Sequence, residues 1–404
     1  MASKNGGFIG TDGLDAPDPP TAVTPTAGDT QVSVAFTAPT DTGTSAITGF
    51  VAQVSTDGTD YSAGSNTGSS SPIVVSSLTN GTAATAKVWA INAYGTSAPS
   101  DASASFTPVA LKRAFNFAGS ASSGRSNIID YVDFASLGDY TDFGDTSSQR
   151  SAPAALSSST RAVTAGGNEA STNDGQTYME YITAGTTGNV TDFGDLTTDR
   201  ETACGGGSNT RGLFVGGSGS AGFLVSIDYI TIGSTGNASD FGDASGRSNA
   251  GGACASTTRF VHGGGKNSSN TRIDVIEYNT ISSLGNSTDF GNLLETTRNI
   301  CSCSNSTRGL FAGGEGSSSS LNVIQYITIS STGNTTDFGD LTAVNETMSA
   351  AASSTIGLFM GGTGQTDRCE KVTIGSTGNA SDFGNLTVGR GTGAGASTAH
   401  GGIA

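Results

Sequence analysis

The chain has 404 residues and a formal net charge of −16, from 34 acidic against 18 Lys and Arg side chains. That balance excludes a nucleic-acid surface, which needs clustered cations, and argues equally against binding anionic lipid. Glycine, at 60 residues, is about twice its usual share; no stretch carries helical periodicity, and the composition suits short strands joined by many tight turns.

Residues 1–16 are rich in Gly and Asp and too polar to form a core. They read as a flexible arm whose small apolar island around Phe8 and Ile9 orders on docking to a partner. The opening ten residues lack an apolar core of the kind a secretion signal needs, and no run of 18 apolar residues follows, so neither export by a leader nor membrane insertion is expected.

From 17 to 108, residues alternate apolar and polar with period two, as in Gln31–Thr37, Ile47–Ser55 and Ala86–Asn92, with turn signals between them. This is the pattern of an antiparallel sandwich. The stretch resembles a fibronectin type III domain, from Pro19-Pro20 through the corner Leu78-Thr-Asn-Gly-Thr-Ala to the strand ending near Tyr94. Two residues depart from that family: Phe36 stands for its core Trp and Ala84 for its corner Tyr. Ala84 is expected to lose the corner hydrogen bond and to leave volume unfilled. Trp89 falls on the outward side, between Val88 and Ala90.

From 109 to 404 the chain repeats. Asp-Phe-Gly occurs at Asp142, Asp192, Asp240, Asp289, Asp337 and Asp382, in steps of 50, 48, 49, 48 and 45 residues. A second phrase alternates with it, Arg211-Gly-Leu-Phe-Val-Gly-Gly and its variants at Arg113, Arg161, Arg259, Arg308 and Ile356. A period near 50 built from short β-type runs signals a propeller. Each unit reads as four strands, the first of them following Arg150, Arg200, Arg247, Arg298, Asn345 or Arg390. The array begins on a second strand, at Arg113, and ends on a lone first strand after Arg390, so the two ends are expected to pair within one blade and close the ring.

The repeat resembles the kelch repeat: an Arg before the innermost strand, a double Gly ending the second, and a Tyr on the third. The family's fourth-strand Trp is replaced by Phe143, Phe193, Phe241, Phe290, Phe338 and Phe383. The expected architecture is all-β, a fibronectin type III-like sandwich followed by a six-bladed kelch-like propeller. The chain also resembles structural proteins of tailed phages of marine bacteria, in which similar Thr-Gly-Asn-x-x-Asp-Phe-Gly-Asp repeats occur. That likeness implies a non-enzymatic virion component, assembled in the host cytoplasm, tail-associated or decorating the capsid. It would attach to other virion proteins through the arm and sandwich. The alternative is a leaderless cell-surface propeller that binds or modifies carbohydrate.

Asp-Phe-Gly also occurs in protein kinases, but six regular copies without a nucleotide loop exclude that chemistry. The Asp is expected to accept turn N–H bonds or to meet the Arg of the adjoining hairpin. Cys204 and Cys301 lie seven residues before the next phrase, and Cys254 and Cys303 five. Such equivalent places suit small residues in a crowded interior rather than metal or disulfide chemistry. His262 and His400 have no nucleophile or metal partner at a motif spacing, so no catalytic residue, metal or cofactor is assigned. The connections between second and third strands differ in every copy, which is how a rigid scaffold presents a binding face. On those loops Phe223, Lys266 and Arg272 are the candidate ligand-binding residues, an exposed ring and two cations suited to an acidic glycan on a host surface.

Overall fold

The computed structural model describes residues 15–136, 138–249 and 251–403, apart from the side chains of 247–249. Every regular element among them is a β-strand. The arm read at 1–16 lies outside the described residues up to residue 14. Its last two residues belong to the fold: Asp15 and Thr44 bond each other reciprocally, and Asn92 Nδ2 donates to the Asp15 carbonyl at 2.9 Å.

The chain divides into two compact units, Met1–Leu111 and Lys112–Ala404. In the first, β1 (Thr21–Gly28), β2 (Gln31–Thr37) and β5 (Ile73–Val75) form one sheet, while β3 (Ile47–Ser55), β4 (Gly64–Gly68), β6 (Thr85–Asn92) and β7 (Gly95–Thr96) form a second in the order 4-3-6-7. Alternation sends Val32, Val34 and Phe36 of one sheet against Phe50, Ala52, Val88 and Ala90 of the other, over a single core. Phe36 and Phe50 meet with centroids 4.8 Å apart. The corner beside Ala84 keeps a cavity of about 70 Å³, lined by Val54, Leu78, Ala84 and Pro108. Trp89 lies on the outer side, edge-on to Tyr61, whose ring also carries Lys87 Nζ at 4.7 Å.

The edge of β6 that the two-residue β7 leaves uncovered is finished in an unexpected way. Ser97, Ser100 and Ser103 recur every third residue; each donates its N–H to a β6 carbonyl and accepts, through its hydroxyl, the N–H of Ala90, Val88 and Ala86 in turn, at 2.9–3.0 Å. A period of three matches a strand edge only because each hydroxyl replaces a missing carbonyl. Those N–H groups belong to fully buried residues, and an orphaned buried donor costs about 1–3 kcal/mol. Changing all three serines to Ala should therefore unfold the first unit selectively, read as loss of its calorimetric transition with the second unit's retained.

Among the described residues the second unit has six main sheets built on one antiparallel four-strand plan, beside two small two-stranded ribbons in the loops. From the inside outward, the second sheet runs Ala154–Ser157, Arg161–Ala165, Gln176–Thr183 and Thr191–Arg200, and the third Cys204–Gly207, Arg211–Val215, Ser226–Thr231 and Ser239–Asp243. The fourth, fifth and sixth begin with Gly252–Ala255, Cys301–Ser304 and Ser349–Ala352. The first sheet takes its inner strand from the far end of the chain. Ala394–Ser397 pairs antiparallel with Arg113–Ala121, placing Ala394 opposite Phe117 and Ser397 opposite Ala114.

Neighbouring sheets follow a cyclic order. The inner strands contact one another in sequence from the second sheet to the sixth, and Ala394–Ser397 touches both the sixth and the second. Six apolar clusters fill the six gaps. One joins Leu156, Val163 and Phe193 to Phe214 and Ile230; another joins Leu358, Met360 and Phe383 of the sixth sheet to Ala114 and Val132 of the first. Both faces of each middle strand are covered, which is why the Gly-Leu-Phe-Val run reads as continuously apolar.

Candidate functional site

The two recurring phrases meet each other across the gaps between sheets. In five of the six copies the Phe carbonyl of Asp-Phe-Gly accepts the N–H of the Gly in the next sheet's Gly-Asn turn (Gly188 to Phe143 at 2.8 Å, Gly236 to Phe193 at 2.7 Å). The N–H just after Asp-Phe-Gly donates to the Asn side chain of that turn, Asp145 to Asn189 and Asp195 to Asn237, both at 3.0 Å. The sixth sheet returns to the first in the same manner, Asn385 N–H donating to Asp139 Oδ1 at 3.0 Å and the Asn385 carbonyl accepting from Tyr140. The Gly of Asp-Phe-Gly is obligatory. Its φ lies in the left-handed half, +135° at Gly194, and a Cβ there would stand 2.5 Å from the Gly236 carbonyl.

The Asp of that phrase is exposed in all six copies, and the Arg expected beside it goes elsewhere. Arg161 and Arg211 stack on Tyr181 and Tyr229 at 4.1 and 4.8 Å, and their Nη1 atoms donate to the Ile232 and Ile281 carbonyls of the following sheets at 2.9 Å. Tyr holds the guanidinium flat while the neighbouring sheet supplies the acceptor. In the sixth sheet Ile356 and Lys371 stand at these positions, and the Lys371 ammonium lies over Phe383 instead.

A set of buried charges, not anticipated from the sequence, lies under the loop end. The residue before the third-strand Tyr is polar and buried in each sheet: Asp130, Glu180, Asp228, Glu277, Gln325, and Glu370 before Lys371. Each accepts an N–H from the preceding sheet, for example Ser147 to Glu180 Oε1 and Leu294 to Gln325 Oε1. Four residues ahead of the inner strand, an Arg answers the acid: Arg150–Glu180 at 2.5 Å, Arg200–Asp228 at 3.0 Å and Arg390–Asp130 at 2.9 Å, with side chains at most 5 % exposed. Where Gln325 stands in place of the acid, the matching position is Thr297, so both positions are neutral. Where it is Asn345, the charge of Glu370 is met by Arg368 at 2.9 Å. Burial raises the Asp130 pKa and lowers that of Arg390, so desolvation pushes both members of that pair toward neutrality. The signal was present as an acid or amide directly after an apolar residue in every third strand (Ile129, Met179, Ile227, Ile276, Ile324 and Cys369), but a single polar residue in a short strand ordinarily reads as solvent-facing.

The connections between second and third strands gather at one end. Each pairs with the segment leading to an inner strand: Asn168–Glu169 with Arg150 and Ser151, Ser218 with Glu201, Lys266–Asn267 with Arg247–Asn249, and Glu315 with Arg298. Phe223 is 36 % exposed on the small hairpin Ser218–Phe223, whose turn is held by Asp199 through Ser220. Lys266 and Arg272 face each other in a bridge of the adjacent loop, and Lys266 Nζ donates to Asn270 Oδ1 at 2.8 Å. The two cations are brought together, while Phe223 belongs to a different hairpin. Arg272 is already engaged: it pairs with Glu315 of the next sheet, whose other oxygen is held by Arg298 at 2.5 Å. Burial, then Arg298 and Arg272, lower the Lys266 pKa.

The six inner strands enclose a lumen too narrow for a ligand larger than a few waters. Its volume is about 60 Å³ at the turn end and about 110 Å³ at the loop end. Side chains are small because the strands nearly touch; a Cβ on Gly205 or Gly395 would fall 2.4 or 2.0 Å from the carbonyls of Ala155 or Ala350. All five cysteines are buried and reduced, and burial pushes the Cys303 thiol up to about 12. His262 bonds the Ser287 hydroxyl at 3.0 Å. Among the described residues no group of three His, Cys, Asp or Glu is placed to hold a metal. Neither a known protein family nor a curated protein matches the chain.

Proposed function

We propose that the first unit is a fibronectin type III-like sandwich, the second a six-bladed kelch-like propeller, and the whole a non-enzymatic structural component of a tailed-phage particle. One observation carries the scaffold reading. The Phe, Gly and Asn of the recurring phrases hold sheet to sheet, and the connections that differ in every copy lie at the loop end. The cyclic order of the sheet contacts and the pairing of Ala394–Ser397 with Arg113–Ala121 support the propeller. The particle context rests on the likeness of the recurring phrase to structural proteins of tailed phages. In this reading the residues before 15 and the first unit attach the protein, and the loop end faces outward to adhere to a host surface or to cover the particle.

Adhesion would be weak per copy, because Arg272 is shared with Glu315 and leaves Lys266 and Phe223 as the adaptable contacts. Many copies on one particle would raise avidity through effective concentration. Quantitative mass spectrometry of purified particles tests the assignment: the protein should be present at fixed copy number, and its absence would sink the particle role. Changing Phe223, Lys266 and Arg272 together to Ala should reduce particle attachment to host cells. Melting should fall by no more than about 1 kcal/mol equivalent, since the residues are surface groups and Arg298 still holds Glu315. Unchanged attachment would leave decoration as the role of that face.

A further inference from the structure

Beyond the inner strand Ala394–Ser397, the chain crosses the turn end of the lumen. Gly401 donates its N–H to the Ser304 carbonyl of the fifth sheet at 2.9 Å, and the Gly402 carbonyl accepts from Asn209, next to the third sheet's inner strand, at 3.0 Å. His400 Nε2 lies 3.0 Å from the Ser157 carbonyl of the second sheet. The two glycines are seated with no room to spare: a Cβ would stand 2.1 Å from the Asn305 carbonyl at Gly401 and 1.8 Å from the Gly207 carbonyl at Gly402. One short segment thus braces the second, third and fifth sheets and closes the lumen.

The hydrogen bonds of His400 fix its protonation. A carbonyl only accepts, so Nε2 carries a proton; Nδ1 accepts the Gly402 N–H at 3.0 Å, so Nδ1 carries none. We propose that Thr398–Ile403 is an acid-released seal, held shut by neutral His400 and lifted when Nδ1 takes a proton. In the imidazolium both ring nitrogens are donors. The new N–H would point at the Gly402 N–H, breaking the turn that lays Gly401 and Gly402 over the lumen. Among the described residues no partner charge relieves this. The strands packed against the ring, Ala155–Ser157, Gly205–Gly207, Ala253–Ala255, Ser302–Ser304, Ala350–Ala352 and Gly395–Ser397, bring no carboxylate, Lys or Arg to the lumen. Their titratable groups are Cys254 and Cys303, whose thiols burial keeps neutral. Arg161 and Arg211, on the flanking turns, are directed to the carbonyls of the following sheets.

The sign follows from the same surroundings. Burial lowers the His400 pKa below the ordinary imidazole value. The released segment therefore binds a proton that the seated one excludes. The seal is fully stable above about pH 6.5, the free imidazole value, and weakens as pH falls below it toward the depressed folded value.

Amide hydrogen exchange of the full chain, corrected for intrinsic rates and followed by mass spectrometry, tests the proposal. Between about pH 7.5 and about pH 5, peptides covering 398–403 and Asn209 should lose protection about tenfold or more, with the outer strands unchanged. His400→Gln offers one donor and one acceptor and does not titrate, so its protection should be the same at both pH values. Gly402→Ala should be poorly protected at both. Unchanged protection in the wild type, or an equal acid loss in His400→Gln, would overturn the proposal. Full protection in Gly402→Ala would show that the glycine is not seated against Gly207 and would overturn it as well.

Discussion

A chain lacking residues 390–404 is expected to retain the first unit's melting transition and lose that of the second. Three losses coincide. The ladder from Ala394 to Ser397 disappears, leaving Arg113–Ala121 as an unpaired edge. Phe115 and Phe117, fully buried now, lose cover from Ala394 and Ala396, and burying one such side chain is worth about 1.5–3 kcal/mol. Asp130 loses Arg390 and becomes an unpaired charge in a site with 0 % exposure, an outcome that costs about 3–5 kcal/mol. The sum reaches the whole stability of an ordinary domain, about 5–15 kcal/mol. Calorimetry and size-exclusion chromatography would show a missing transition and aggregation; a truncated protein that melts like the full chain would refute closure by these residues.

The second large effect is a pair of opposed outcomes at one site. Glu180→Gln alone should destabilise the second unit by about 3–5 kcal/mol, because it leaves the Arg150 guanidinium charged, buried and without its acid. Two of that guanidinium's nitrogens, Nε and Nη1, have no hydrogen-bond partner to begin with. Adding Arg150→Thr should recover most of the loss, although it is a second substitution in the same site. The double variant installs the residue types that the fifth sheet already has at these two positions, Thr297 and Gln325, and Gln325 still accepts the Leu294 N–H at 2.9 Å. Replacing a buried ion pair by neutral groups is often near neutral, whereas breaking one is costly. Chemical denaturation of the single and double variants measures the coupling. Equal losses in both would mean that the site requires its charges.

The period of Asp-Phe-Gly, the alternation in Gln31–Thr37 and the scarcity of helix formers determined strand positions closely, because pleat and turn chemistry are local properties. The strands after Arg150, Arg200 and Arg390 begin four residues later in each case, and the lone segment near 394 paired with the strand at Arg113 as its leftover position required. Phe36 as a core residue and Trp89 as an outward one likewise followed from period two. Partners across space were decided only by the tertiary structure. The Arg of the adjoining hairpin was one of two partners expected for the Asp, yet Arg161 donates to the Ile232 carbonyl, 71 residues away on the next sheet. Glu180 and Asp228 are buried because apolar clusters fill the gaps on both sides of their sheets, which no single strand reveals. Arg272 was taken for a free cation until the loop carrying Glu315 lay beside it. Sequence periodicity records what each residue does to its own strand; the pairing of charges across the gaps depends on how strands distant in sequence are brought to one another, which no single repeat encodes.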